Sequence, residues 1–253
     1  MQSSQIEFIR PEKLNDGRIL SWFSLKNPEL IEEGQVIPGL NIGFNSKDRH
    51  DIVLHNLKLL SDEIRTKTSS IALAEQVHKS DVKLVSRGGI YTETDAFVSN
   101  TPGIALGIQV ADCGAVLLGD SMNKVIGAAH AGWRGAVSGI VPKTIEEMVT
   151  LGAEKNRIKA FISPCLAVHN FEVGAEVANQ FPGNLVDNNS YEKPHVDLKG
   201  LIIEQLMEVG IKQENIECDA RCTIDYEDLF YSYRREKEKS GRMLGVIKLN
   251  SLK

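Results

Sequence analysis

The stretch over residues 104–141 constrains this chain most strongly, because two apolar runs in it lead directly into reactive side chains. The first run, over 104–110, leads to Cys113, and the second, over 125–129, leads to His130. Short runs rich in Val, Ile, Ala and Gly between turn residues predict strands that are buried on both faces, although periodicity alone is also compatible with buried helix. A thiol and an imidazole in such surroundings need polar partners, since an unpaired polar group in a dry interior costs a few kcal/mol.

A metal ion is the economical partner for these side chains. One other histidine, His78, follows an apolar run in the same way. Two histidines and one cysteine suit zinc, which accepts nitrogen and sulfur and keeps a fourth position open in catalytic sites. The three residues come from separate segments, so no short zinc-finger spacing supports the set. On residue types alone, two other interpretations stand beside it: an ordinary buried cysteine with satisfied histidines, or Cys113 as a nucleophile with His130 as its base.

Several segments resemble the YfiH-like family, whose members have been called multicopper polyphenol oxidases or laccases, purine nucleoside phosphorylases and peptidoglycan editing factors. The similar segments are GLNIG at 39–43, EQVH at 75–78, ETDAFVSNTPGIALGIQVADCGAVLLGD at 93–120, AAHAGWRGAVSGIV at 128–141, ISPCLAVHNFEVG at 162–174, Cys222-Thr223 and FYSYRREKEKSGRM at 230–243. They span nearly the whole chain, and the combination of ADC with AAHAGWRG is highly specific. The family's metal ligands fall, residue by residue, on His78, Cys113 and His130.

The resemblance implies a zinc-dependent purine nucleoside phosphorylase that acts on adenosine, inosine, guanosine and methylthioadenosine and also has adenosine deaminase activity. The expected partners are then small molecules, a purine nucleoside and phosphate. One alternative is a copper-dependent polyphenol oxidase (laccase), although six histidines are few for a full multicopper set. Further alternatives are a cysteine hydrolase or amidase that edits peptidoglycan precursors, and a non-catalytic metal-binding module.

Cys113 and Arg134 are the expected catalytic residues, and Asn41 and Arg134 the expected substrate-binding residues. Arg134 follows the tight connection after His130, where a helix N-terminus favours an anion and a guanidinium adds bidentate contacts; a structural ion pair would explain it equally well. Asn41 either faces the cleft or closes a turn, the commoner role for Asn beside Gly. Asp95 either orients a metal-bound histidine or caps a turn.

Apolar spacing predicts helices over 48–64, 137–152 and 196–209. Pro142 should kink the second helix or mark a late start, because proline removes a backbone donor. Strands are predicted over 18–24, 71–74, 82–85, 96–98, 104–110, 125–129, 158–162, 230–235 and 243–249. Arg234 and Arg235 are candidates to reach a phosphate in the cleft, and most of the charges that follow them are interpreted as a solvated loop. These elements predict an α+β fold, a mixed β-sheet layered with α-helices, and the resemblance implies a single YfiH-like catalytic domain over residues 1–253.

Some positions depart from the family pattern or remain without a role. The turn over 163–168 lacks the family's usual glycines, and Val110 stands in place of the usual Thr, which removes a hydroxyl near the site. Asp112 precedes Cys113 and would point to the opposite face of a regular strand, so only an irregularity at the strand end would bring it into the same pocket. Cys165 has no assigned role, and Cys218 and Cys222 are interpreted as reduced structural cysteines.

Composition excludes several classes of protein. A net charge of −5 and a pI near 5.7 argue against nucleic acid as the main partner. The first 25 residues contain no apolar signal-peptide core, and no stretch approaches the roughly 18 apolar residues of a membrane span. Four cysteines in 253 residues do not form a disulfide framework, so the expected location is the cytoplasm. These features leave the oligomeric state open.

Overall fold

The structure is a computed structural model that describes residues 6–251. Its strands are β1 (Phe8–Ile9), β2 (Ile19–Ser24), β3 (Ile71–Ala74), β4 (Val82–Leu84), β5 (Gly89–Tyr91), β6 (Ala96–Ser99), β7 (Ala105–Val110), β8 (Gly114–Asp120), β9 (Val125–Ala131), β10 (Lys159–Ile162), β11 (Val186–Asp187), β12 (His195–Val196), β13 (Ile216–Cys218) and β14 (Met243–Leu249). Its α-helices are α1 (His50–Glu63), α2 (Trp133–Val137), α3 (Ile140–Thr150), α4 (Ala175–Ala178), α5 (Leu198–Glu208) and α6 (Tyr233–Glu236).

Two mixed six-stranded sheets pack face to face, with helices on both outer sides. The first sheet has the order β1-β2-β14-β7-β3-β5 and the second the order β13-β10-β8-β9-β6-β4. Side chains from both sheets, including Leu106, Phe97 and Leu117, form one buried core between them. Helix α1 covers the outer face of the first sheet, while α3 and α5 cover the outer face of the second. The predicted α+β class is confirmed, with two sheets rather than one.

The alternation of side chains along β9 decides which way His130 points. Ile126 and Ala128 face the core between the sheets, whereas Val125 and Ala129 face the helices. Since successive strand residues point to opposite faces, His130 shares the inter-sheet face with Ile126 and Ala128. Both faces of the strand are buried, which explains the continuous apolar run in the sequence.

Most predicted elements are present, with shifts at their ends. Helix α3 begins at Ile140, after Gly139, whose φ is +77°. Pro142 therefore lies in the first turn of the helix, and of the two effects expected for it, a kink or a late start, the late start is observed. His130 lies within β9 rather than after it. Strand β8 was not predicted, because its apolar residues merge with the preceding motif.

One element was predicted with the wrong structure. Residues 230–235 were expected to form an aromatic strand, but Tyr233–Glu236 is a short helix. Ser232 caps this helix by accepting a hydrogen bond from the backbone amide of Arg235 at 3.2 Å. Serine at an N-cap position satisfies one of the free helix amides, and this local bond outweighs the β preference of the aromatic residues.

Within residues 6–251, no helix combines the length and apolar character needed to cross a bilayer.

Candidate metal centre

His78, Cys113 and His130 converge at the margin of the core between the sheets. His78 follows β3 in a left-handed conformation (φ +60°), Cys113 lies in the connection between β7 and β8, and His130 is near the end of β9. One possible ligand atom from each residue lies within 4.8 Å of the other two. The two imidazole rings are 4.7 Å apart between centroids and nearly perpendicular, at 75°. The structure therefore brings together the three side chains that the sequence singled out, and they form a possible metal site.

Asp95 forms hydrogen bonds with two of these three residues, His78 and His130. Its Oδ1 lies 2.9 Å from His130 Nδ1, and the backbone amides of His78 and Lys79 donate to the same carboxylate at 2.9 and 2.8 Å. Burial raises the pKa of Asp95, but the hydrogen bonds from His130 and the backbone amides outweigh it and hold the pKa below its usual value. Asp95 thus both orients His130 and caps the turn that carries His78.

The thiol and the buried imidazole stabilise each other in charged form. Burial alone would raise the pKa of Cys113, but the charge of His130 and hydrogen bonds with both histidines lower it to about 6. Burial likewise disfavours a charged His130, yet Cys113 and Asp95 raise its pKa to about 9. Without a metal ion, a thiolate and an imidazolium therefore coexist near neutral pH. A thiolate is also the form of cysteine that binds metals.

Gly132 leaves the space that an ion needs. A Cβ at this position would lie 3.0 Å from Cys113 Sγ, 3.2 Å from His78 Cδ2 and 3.7 Å from His130 Nε2. The residue just after His130 thus has no side chain where the three donors meet. One sulfur and two nitrogen donors suit zinc or copper and do not suit magnesium or calcium. The residues present therefore fit an ion of this kind.

Replacing Asp95 with asparagine is expected to weaken zinc binding at this centre by about 10- to 100-fold, because loss of the carboxylate partner of a ligating histidine has effects of that size. Equilibrium titration with zinc measures the change. Asp120→Asn is the matched control: Asp120 is also buried and accepts three backbone hydrogen bonds, from Met122, Asn123 and Glu154, at the far end of β8. Equal loss of zinc affinity in both variants would show that Asp95 acts through general stability alone.

A cavity of about 690 Å³ opens over the three side chains. Its remaining wall contains aromatic residues (Trp133, Phe171, Tyr233), cationic residues (Arg234, Lys237, Arg242), two carboxylates (Asp112, Glu238) and neutral polar residues (Asn45, Gln76, Gln109). The volume lies within the range of about 300–1,000 Å³ that is typical of small-molecule sites. The cavity thus joins a possible metal site to aromatic and cationic surfaces suited to an aromatic, anionic or polar small molecule.

Asp112 lines this cavity beside Cys113 because the strand ends irregularly. Its φ of +84° breaks the regular alternation that would have turned it away. The Thr223 hydroxyl donates to one carboxylate oxygen at 2.7 Å, and the backbone amide of Arg234 donates to the other at 2.6 Å. Asp112 therefore ties the segment after β13 and the start of α6 to the metal centre.

The two predicted substrate-binding residues lie outside this cavity. Arg134 is exposed, stacks over the ring of Trp133 at 4.3 Å and lines a shallower neighbouring depression. Asn41 is fully buried; its Oδ1 accepts hydrogen bonds from the backbone amides of Gly43 and Arg242 at 2.9 and 3.0 Å. Asn41 therefore closes a turn instead of facing the cleft, in contrast to the substrate-binding role expected for it.

Sequence reasoning found only part of the cavity wall. In the segment over 230–243, Arg234 was expected to reach a phosphate in the cleft, and it does line the cavity. Tyr233, Lys237 and Arg242 also line it, but they were assigned to a strand and to a solvated charged turn. Arg235, by contrast, is turned inward and donates to the carbonyls of Thr223, Ile224 and Phe230. The available signal was the clustering of tyrosine with arginine in this segment, a combination common where ligands are bound.

Comparison with known proteins identifies the family. The sequence model of the family described as "Multi-copper polyphenol oxidoreductase laccase" matches residues 32–250. This chain belongs to that family. The resemblance to YfiH-like proteins in the sequence is thereby confirmed.

Relatives within the family carry a different functional name. A protein of Deinococcus radiodurans named "Purine nucleoside phosphorylase" is 37% identical over 222 residues, which cover 85% of this chain and 86% of the relative. The Escherichia coli K12 protein "Purine nucleoside phosphorylase YfiH" is 35% identical over 217 residues, covering 82% of this chain and 85% of the relative. The crystal structure of the Bacillus licheniformis hypothetical protein YfiH superposes with a TM-score of 0.89 at 25% identity, covering 99% of this chain and 98% of that one. The comparisons support a small-molecule enzyme of the phosphorylase kind.

Proposed function

We propose that this chain is a zinc-dependent purine nucleoside phosphorylase that acts on adenosine, inosine, guanosine and methylthioadenosine and also deaminates adenosine. The observation that carries the proposal is the convergence of His78, Cys113 and His130 within 4.8 Å in a cavity that also contains aromatic and cationic side chains. The names of the relatives in Deinococcus radiodurans and Escherichia coli support the same activity. We further propose that residues 1–253 form one catalytic domain, and that it acts in the cytoplasm, where its four free cysteines stay reduced.

Different residues of the chain are proposed to bind the purine nucleoside and the phosphate. Phe171 and Tyr233 line the cavity with aromatic surface. The guanidinium groups of Arg234 and Arg242 lie over these two rings, so a purine would pack against the ring surface that the arginines leave free. Arg234 and Arg242 are the proposed phosphate-binding residues in place of Arg134, because they line the cavity and, within residues 6–251, their guanidinium groups donate hydrogen bonds only to backbone carbonyls. Burial lowers the pKa of Arg242, so a bound anion would restore a partner to a partly desolvated guanidinium.

Phosphorolysis forms a bond between a phosphate oxygen and ribose C1′ and breaks the bond from C1′ to the purine nitrogen, so the purine leaves with that electron pair and gains a proton. His78, Cys113 and His130 would hold the zinc ion, which would supply Lewis-acid polarisation and a lower pKa for bound water. Asp112 is held beside Cys113 by Thr223 and by the Arg234 amide, and through this bond the segment that carries the cationic residues is fixed relative to the metal ligands.

The test uses protein purified without added metal, whose bound metal is quantified before assay. Adenosine is then incubated with and without phosphate while adenine and inosine are followed. Adenine that appears only with phosphate, together with inosine formed independently of phosphate, is the expected result. If inosine alone is formed, only the deaminase part of the proposal remains. If neither adenine nor inosine is formed, the proposal is contradicted.

The family description favours copper-dependent oxidation of phenols as a second candidate function. The same sulfur and nitrogen donors accept copper. Copper found in stoichiometric amount, with oxygen uptake on a phenolic substrate and no cleavage of nucleosides, would select this candidate over the phosphorylase.

The charged pair of Cys113 and His130 favours a metal-free cysteine hydrolase as a third candidate. Because the pKa of Cys113 is lowered from 9.0 to about 6, the metal-free protein should keep its thiolate at pH 7, and alkylation by iodoacetamide should reach half its maximal rate near pH 6. An alkylation profile that rises only near pH 9 would contradict the pairing.

Chelation of the metal distinguishes the candidate functions. It should abolish the activity of a zinc-dependent phosphorylase and leave the activity of a cysteine hydrolase unchanged.

A further inference from the structure

His169, Cys222 and Asp225 form a second cluster of possible metal ligands, behind the wall of the cavity. One donor atom from each residue lies within 4.8 Å of the other two. We propose that these residues bind a second metal ion, zinc or another borderline transition-metal ion, and that this ion fixes the wall of the cavity. The proposal is independent of the reaction assigned to the first centre.

The donor geometry suits such an ion after small movements. In a tetrahedral zinc site, ligands at about 2.0–2.3 Å from the metal are separated by roughly 3.3–3.8 Å. His169 Nε2 lies 2.8 Å from Asp225 Oδ2, so these two donors must part slightly while the thiol moves inward. His169 and Asp225 have side chains 49% and 41% exposed, which leaves them free to adjust and open to an ion from solvent.

Two N–H groups point at the sulfur atom of Cys222. The backbone amide of Ala167 and the side-chain amide of Asn170 both donate to Cys222 Sγ, at 3.4 and 3.3 Å. Asn170 also donates to Asp225 at 2.6 Å, so one amide orients two of the three proposed ligands.

The two segments that supply the ligands are already joined by the backbone. Cys165 and Cys222 pair in an isolated parallel β-bridge, and the amide of Thr223 donates to the Cys165 carbonyl at 3.4 Å. His169 lies in the short 3-10 helix Val168–Asn170, a few residues after Cys165. The donors are therefore brought together without any ion, which reduces the entropy cost of binding one.

An ion at this position would act on the cavity through its neighbours. Leu166 and Phe171, which line the cavity, flank the ligand His169. Thr223, which follows the ligand Cys222, holds Asp112 beside the first metal centre. The ion would therefore stabilise the part of the cavity wall that Leu166 and Phe171 form and the contact between Thr223 and Asp112.

The competing explanation is an ordinary exposed ion pair between His169 and Asp225. The chain offers a matched control for it, because His55 of helix α1 forms an exposed ion pair with Glu32 at 3.1 Å. Within residues 6–251, this pair belongs to neither cluster of possible metal ligands. If His169 and Asp225 only form an ion pair, His169→Ala and His55→Ala should affect metal binding equally.

The first experiment counts bound ions. Metal-free protein is titrated with zinc alone, and the ions per chain are measured by native mass spectrometry. We expect two per chain for the unchanged protein and for His55→Ala, and one tight ion for His169→Ala and Asp225→Asn, with the second weakened by at least about 10- to 100-fold. One ion in the unchanged protein, or two ions of unchanged affinity in both exposed-ligand variants, would overturn the proposal.

The second experiment identifies the sulfur ligand without relying on a substitution at buried Cys222. In a Cys113→Ala background, titration with cobalt alone should still produce a thiolate-to-cobalt charge-transfer band, because Cys222 remains as a ligand. Adding His169→Ala to this background should remove the band at the same cobalt concentration, whereas adding His55→Ala should not. No charge-transfer band in the Cys113→Ala protein would contradict the second site.

Discussion

Replacing Cys113 with alanine is expected to lower kcat/KM for adenosine phosphorolysis by about 1,000-fold or more. The variant removes the only sulfur donor of the first centre. A catalytic metal contributes several kcal/mol of transition-state stabilisation, and about 1.4 kcal/mol corresponds to a ten-fold change in rate. Steady-state assays with adenosine and phosphate, run beside metal analysis of the same preparation, measure both the rate and its cause.

Cys218→Ala is the control for this prediction. Cys218 is a free, half-buried cysteine on β13 that lines neither the cavity nor either cluster of metal ligands among the described residues. Its replacement should leave kcat/KM within about two- to three-fold of the unchanged protein, the usual consequence of a substitution that costs little stability. A Cys113→Ala enzyme that retained phosphorolysis at a comparable level would show that the reaction does not depend on this thiolate.

Gly132→Ala is expected to produce a folded protein that has lost tight metal binding at the first centre. The backbone at Gly132, with φ −72° and ψ 164°, is accessible to alanine, so folding should tolerate the change. The added methyl group, however, would meet Cys113 Sγ at 3.0 Å and the His78 ring at 3.2 Å. Because the donors must then separate, we expect zinc affinity to fall by at least about 10- to 100-fold, as for other disturbances of ligand orientation.

The matched substitution is Gly183→Ala, since a Cβ at Gly183 would have no heavy atom within 4 Å. Zinc titration and thermal unfolding of both variants separate a local from a global effect. Equal zinc affinity in Gly132→Ala and the unchanged protein would mean that the three side chains do not share a centre at this point.

Local sequence patterns predicted individual elements of the fold but not their arrangement. The apolar spacing of Val53, Leu57, Leu60 and Ile64 predicted helix α1, whose buried side these residues form. The same reasoning could not place β14 between β2 and β7, because strand pairing depends on contacts between residues far apart in the chain. It also could not divide the strands between two sheets, since an apolar run buried on both faces has the same composition in either sheet.

The candidate site shows the same division between local and long-range information. Strand-end position, followed by the family resemblance, selected His78, Cys113 and His130, which the structure brings together. Arg134 was expected in the cleft because it follows His130 closely in the sequence. Successive helix residues, however, point in directions that differ by about 100°. Trp133 therefore lines the cavity, whereas Arg134 lies outside it and stacks on the Trp133 ring. Asp112 holds the start of α6, and with it Arg234, at the cavity, and Asn41 holds the backbone of Arg242 there. No local pattern encodes either contact, because the partners lie far apart in the chain.

The most direct test of the metal centre is a crystal structure of the zinc-loaded protein with anomalous diffraction data collected at the zinc absorption edge. The account predicts an anomalous peak next to Gly132, at about 2.3 Å from Cys113 Sγ and about 2.0–2.1 Å from one ring nitrogen of His78 and of His130. Density for a free thiol at Cys113, with no anomalous peak there and both imidazole rings turned away from it, would contradict the account.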